Sequence, residues 1–123
     1  MSILSHSNIY SRDEMLSKRQ QLLFEKQAEI AKAIAHPFRI AIVNFLKDGE
    51  QCVCDIAQYV GSERSNVSRH LSVMVNAGLL EYRKEGLKVI YRLKCACIVD
   101  FFSCVSSVLK QQAKDSEKLL EAL

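Results

Sequence analysis

The chain has 123 residues, 49% of them hydrophobic and 25% charged, with a net charge of +3 and a single proline. That suffices for one small domain with a real core, while no apolar run approaches the ~20 residues of a membrane span. The polar N-terminus does not read as a signal peptide. A cytosolic, mostly helical protein is therefore expected, whose five cysteines are not structural disulfides but buried small residues, ligands or sensors.

Residues 1–11 are polar, lack a period and read as a flexible tail. Residues 12–35 favour helix, with Leu16, Leu23, Ile30 and Ile34 as a spaced apolar set that Leu22 and Phe24 broaden. So short a chain offers this helix no obvious partner. A dimer contact is expected, packing on its own domain being the alternative. His36-Pro37 breaks the helix, and Pro37 suits the first position of the next. Phe38, Ile40, Ala41, Ile42, Val43, Phe45 and Leu46 make that helix almost wholly apolar, the expected centre of the core, and Gly49 closes it. His36 reads as a boundary residue, since no other histidine sits at metal-ligand spacing from it.

The stretch from Cys52 to Gly78 reads as a short helix, a tight turn and a second helix. Asp55, Ile56, Ala57 and Val60 have helical spacing, and Gly61 supplies the left-handed residue that ends a helix. Ser62 is the expected N-cap of the next helix, with Glu63 in its positive first turn. Val67, Leu71, Met74 and Val75 then form one buried face, while Ser65, Asn66, Ser68, Arg69 and Ser72 lie elsewhere around it. This is the pattern of a helix-turn-helix whose second helix enters the DNA major groove. Ser65, Asn66, Ser68 and Arg69 are the expected contacts to bases or phosphates, with His70 next. Arg69 can meet a guanine edge and Asn66 an adenine.

After Gly78 the period changes. Residues 79–84 and 88–93 are strand-like runs joined by a turn at Glu85-Gly86-Leu87. A hairpin carrying Arg83, Lys84 and Lys88 near its tip can lie against the DNA backbone or minor groove, which makes a winged helix. Charge agrees: residues 62–94 hold seven bases and three acids, a net +4, and the remainder nets −1. A last helix runs from about Cys95 past Gln112. Its apolar stripe (Cys97, Phe101, Cys104, Val105, Val108, with Ile98, Phe102 and Leu109) is broad enough to face a second subunit. One domain over 12–112 is thus expected, mainly α with a β-hairpin wing, followed by a charged extension over 113–123 that frays.

With these residues placed, the chain resembles the ArsR/SmtB family of dimeric winged-helix repressors from about Ala33 to Leu109. The markers, in order, are AHPFRIAIVNFLKDGE, CVCDIAQYVG, SNVSRHLSVMVNAGLLEYRKEG and VIYRL. The resemblance implies a homodimer on a palindromic operator, released by a thiophilic or transition metal ion, arsenite or antimonite, or an oxidising or sulfur species. The family's CVCD motif stands here as Cys52-Val53-Cys54-Asp55. The third cysteine of many arsenite-responsive members falls on Ala57, and the N-terminal segment lacks the cysteines of cadmium- and lead-responsive members. Asp100 has no histidine following it, as the zinc and nickel or cobalt sites would require, and the second-helix cysteine of persulfide-sensing members aligns with Asn44.

Cys95, Cys97 and Cys104 then match the three-cysteine site that some arsenite-responsive members carry at the last helix. Cys97 and Cys104 are separated by ~10.5 Å of helix rise, whereas two sulfurs on one metal lie within about 4.6 Å. A shared site must therefore take Cys104 from the other subunit, or use Cys52 and Cys54 with a third thiolate. Five cysteines without histidine pairs suit soft acceptors, arsenite or antimonite first and cadmium, lead or zinc as the alternative. A redox switch built on Cys97 and Cys104 or on a Cys-x-Cys pair is the second reading. No permanent cofactor, no membrane partner and no enzymatic motif are expected: there is no Gly-rich phosphate loop, acid–base pair or nucleophile–His motif.

Overall fold

A computed structural model describes residues 15–123, so the tail expected over 1–11 lies outside the described residues. The elements in order are α1 (Lys18–Ile34), α2 (Pro37–Leu46), β1 (Gln51–Cys52), α3 (Val53–Val60), α4 (Arg64–Asn76), β2 (Leu80–Glu85), β3 (Lys88–Leu93) and α5 (Cys97–Glu121). This is a winged helix-turn-helix: mostly helical, with an antiparallel hairpin after the second helix of the motif.

Local chemistry sets the boundaries. Ser17 and Gln20 form a reciprocal capping box: the Gln20 amide donates to Ser17 Oγ at 3.1 Å and the Ser17 amide to Gln20 Oε1 at 2.8 Å. That box starts α1 at Lys18, later than its helix-favouring composition suggests. At α2, Pro37 takes the first helical position, and His36 Nδ1 accepts from the Phe38 amide at 3.1 Å, so His36 is the boundary residue expected. Gly61 ends α3 at φ 71°, a conformation costly to any residue with a Cβ. Ser62 is not the cap of α4. Glu63 occupies that position without a side-chain cap bond, because the Ser62 hydroxyl instead accepts from the Asn66 amide group at 2.9 Å.

The sheet has three strands in the order β1-β3-β2. The wing pairs Leu80 with Leu93 through Glu85 with Lys88, leaving Gly86-Leu87 as a two-residue loop with Gly86 at φ 63°. The third strand, β1, pairs Gln51 with Tyr91 and Cys52 with Ile90. It fastens the wing to the start of α3.

One core holds these pieces together. Ile42, Ile56, Val67, Leu71 and Met74 are wholly inaccessible, with Val43, Leu46, Val53, Ala57, Leu79 and Leu80 packed around them. Ala33 and Ile34 join it from the end of α1. Otherwise α1 is exposed throughout, and α5 buries no residue fully. The last helix does not give way near Gln112. It continues to Glu121, helped by polar i,i+4 spacing such as Gln111 donating to Asp115 at 3.0 Å.

Leu71 fills the interior behind the outward face of α4. Leu71→Ala is expected to lower unfolding free energy by about 2–5 kcal/mol, read from urea melts followed by circular dichroism.

Candidate functional site

The outward face of α4 is built by default. With Val67, Leu71 and Met74 in the core, the helical period turns Ser65, Arg69 and Ser72 to solvent. Arg69 is not loose on that face. Its guanidinium donates to Asn66 Oδ1 at 2.9 Å, and Asn66 in turn donates to Ser62. Both ends of the Asn66 amide are thus engaged in the free protein, where Asn66 aims Arg69. Ser68 is half-buried beside this chain of bonds.

His70 departs from the expectation of an outward contact. Its Nδ1 accepts from Arg39 Nε at 3.1 Å, and its ring lies 4.3 Å from that of His36 and 5.6 Å from that of Phe38. It faces α2. Burial, followed by the charges of His36, Arg39 and Arg69, holds its imidazole below the usual histidine range.

The wing separates the three basic residues expected at its tip. Alternation along the strands puts Tyr82 and Lys84 of β2 on one face with Val89 and Tyr91 of β3. That face meets Ser72, Val75 and Asn76 of α4 around a cleft of about 370 Å³. Lys84 therefore lies on the wing face that looks toward α4. Arg83 and Lys88 point to the opposite face, where Arg83 pairs with Glu50 and, at 3.0 Å, with Glu85, while Arg92 pairs with Glu81. The two carboxylates hold the Arg83 guanidinium still more firmly in its charged form. In the free protein Arg83 braces the wing against the turn before β1. A short-range pattern hides this: Glu50 is 33 positions from Arg83.

The cysteines fall in three places. Cys52 is half-buried at the N-cap of α3 and Cys54 is exposed in its first turn. Cys95, after β3, and Cys97, the first residue of α5, flank one residue and are joined in a disulfide, with Cα atoms 5.4 Å apart. Structural disulfides are not expected from the sequence, and a Cys-x-Cys bond enters only with the redox reading; the chain path before α5 folds these two side chains onto each other. Cys104 is exposed, further along α5. Among the described residues no three Cys, His, Asp or Glu side chains converge as a metal cage within the protomer. No described helix is long and apolar enough to cross a membrane.

A core-held helix with an outward Arg–Asn–Ser face, preceded by a short helix and flanked by a hairpin, defines a DNA-binding winged helix-turn-helix regulator. Residues 36–82 match the family described as bacterial regulatory protein, arsR family. The HTH-type transcriptional regulator Rv0081 of Mycobacterium tuberculosis is 32% identical over 102 residues, covering 82% of this chain and 90% of its own. A cadmium resistance transcriptional regulatory protein CadC homolog of Staphylococcus aureus is 40% identical over 67 residues, 54% of this chain and 55% of its own. The arsenical resistance operon repressor of Escherichia coli is 39% identical over 66 residues, 53% and 56% of the two chains. Among solved structures, the homodimeric winged helix-turn-helix DNA-binding domain Mb0332 from Mycobacterium bovis superposes with TM-score 0.70 at 29% identity, covering 81% of this chain and 93% of that one. The chain belongs to the arsR family and is a transcriptional repressor of the ArsR/SmtB type, with the fold and family of a regulator and not of an enzyme.

The geometry of α4 and the wing separates three variants. Arg69→Ala should cost about 1–3 kcal/mol of specific affinity. Lys84→Ala should reduce the slope of log affinity against log salt by about one. Arg83→Ala should leave that slope unchanged. Fluorescence anisotropy on a selected duplex across a salt series checks all three.

Proposed function

We propose that this repressor binds its operator as a homodimer and leaves it when an inducer engages the thiols at the start of α5. The carrying observation is where Cys95 and Cys97 sit. They lie where β3, the last strand of the DNA-binding half, passes into α5, a helix that packs Ile98, Val99 and Phe102 on its own core but leaves much of its apolar surface exposed. Phe101, Val105, Val108 and Leu109 on α5 and Leu22, Leu23, Phe24 and Ile30 on α1 are all exposed. A second copy covers such faces, as the homodimeric state of the Mycobacterium bovis domain also supports. A group bound at Cys95 and Cys97 then changes the angle between the dimer helices and the two recognition helices. Those helices must meet half-sites about 34 Å apart, so a small rotation lowers affinity.

The inducer class follows from the donors. Two sulfurs held within bonding reach of each other form, once reduced, a chelate for one soft trivalent centre, arsenite or antimonite. The third sulfur is Cys104 of the second copy, since helix rise keeps this protomer's own Cys104 away from Cys97. The names of the Escherichia coli and Staphylococcus aureus relatives support a thiophilic inducer, arsenical in one and cadmium in the other. Cadmium, lead and zinc are the alternatives, and Cys52 with Cys54 the alternative donors. Within the DNA interface, Ser65, Ser68, Arg69 and Lys84 make the contacts, Asn66 aims Arg69, and the repressor works in the cytoplasm.

The disulfide itself favours a second reading, in which oxidation is the signal. The Cys95 and Cys97 thiols give up two electrons and two protons, peroxide is reduced to water, and a sulfur–sulfur bond forms.

The test is a titration of the reduced protein on a duplex selected from a random-sequence library, with arsenite, cadmium, zinc or peroxide at matched salt. Release by arsenite that disappears in Cys95→Ser and Cys97→Ser is the expected result. Release by peroxide alone would establish the oxidation reading in its place. Release by nothing would leave a repressor whose cysteines only pack.

A further inference from the structure

Arg39 stands where three helices meet. From the first turn of α2 its guanidinium reaches the Lys32 and Ala33 carbonyls at the end of α1, each at 3.4 Å. Those carbonyls belong to the last turn of α1, where the Lys32 carbonyl also accepts from the Ala35 cap amide at 3.3 Å. Its Nε donates to His70 on α4 at 3.1 Å. One side chain thus ties the exposed α1 arm to the recognition helix, one residue along from Arg69.

We propose that Arg39 and His70 form a latch that positions the recognition helix against α1 and α2, and that lets go when His70 takes up a proton. The chemistry is simple. Nδ1 of a neutral imidazole can accept from Arg39, but once protonated it becomes a donor facing a donor. The new charge also sits against Arg39 of α2, His36 at its N-cap and Arg69 of its own helix, while α1 contributes only carbonyls that reach Arg39. No carboxylate is among the groups that act on it. The latched form is therefore the one present above the His70 pKa, and it is lost as pH falls through it. His36 is the nearest competing explanation, because its own Nδ1 caps α2 by accepting from Phe38.

The inference rests on the operator-binding reading only in its second readout; the first needs no DNA. In the full chain, hydrogen exchange along α4, corrected for intrinsic rate, is followed from about pH 8 to about pH 5, which spans histidine titration. Protection in wild type should fall roughly five- to tenfold on acidification. It should stay flat in His70→Asn, which keeps an acceptor near the Nδ1 position and does not titrate. It should still fall in His36→Asn, which retains an N-cap acceptor. Arg39→Ala should show the low protection at every pH, with thermal melts confirming that each variant is folded. The second readout is the ratio of operator to random-duplex affinity, which cancels the general attraction of added charge for phosphate. It should fall with pH in wild type alone of the wild-type and His70→Asn pair. Identical exchange profiles in those two proteins, or a flat profile produced by His36→Asn, would overturn the latch. Expected exchange with an unchanged affinity ratio would overturn its role in positioning the recognition helix.

Discussion

The packing of Val67, Leu71 and Met74 against Ile42 and Ile56 is the constraint on which the rest of the molecule depends. All five side chains are completely removed from water. Each such residue contributes about 1.5–3 kcal/mol when buried, and the chain is too short to build a second core of this kind. The recognition helix is thus fixed by its inner face, and its outer face is free to carry polar groups without a stability cost. The Ser62–Asn66–Arg69 chain occupies that freedom, turning a long flexible cation into a directed one. Rotamer entropy lost beforehand in this way is not lost again on binding.

The same economy of core explains the terminal helices. Among the described residues little covers most of α1 and α5, and Leu22, Leu23, Phe24, Phe101, Val105, Val108 and Leu109 stay exposed. A second copy resolves this on both helices at once. It also places the Cys95–Cys97 turn at the joint between the DNA-reading half and the dimer-forming half. In the proposed mechanism, a bond made or a centre bound at that joint acts on the angle between them, which is the quantity that a two-fold operator reads. The wing follows a similar division: one face, with Lys84, looks toward the recognition helix, and the other is braced by the Arg83–Glu50 and Arg92–Glu81 ion pairs.

Much of this was legible in the amino-acid sequence because short-range signals carry it. The 3.6-residue spacing of Val67, Leu71 and Met74, the glycines at 61 and 86, and Pro37 after His36 each determine a local geometry. The switch to strand periodicity after Gly78 locates the wing in the same way. What was not legible depends on residues far apart in the chain. β1 is two residues long and exists only because β3 passes beside it. His70 has the position of an outward contact in its own helix, and its inward turn depends on Arg39, 31 positions away. Arg83 is equally basic whichever face it occupies, so only the strand register shows that Glu50 and Glu85 hold it. For the cysteines, spacing showed that Cys97 and Cys104 cannot share an ion within one helix. That Cys95 and Cys97 meet needed the path of the turn.

The central claim is a two-fold assembly reading DNA, and the mass of the protein–DNA complex tests it most directly. Sedimentation of the reduced chain with a selected palindromic duplex should give two chains per duplex across the whole titration, with no one-chain intermediate. A complex of one chain per duplex, stable at concentrations where the free chain is monomeric, would contradict the account, since the exposed faces of α1 and α5 would then have no second copy to cover them.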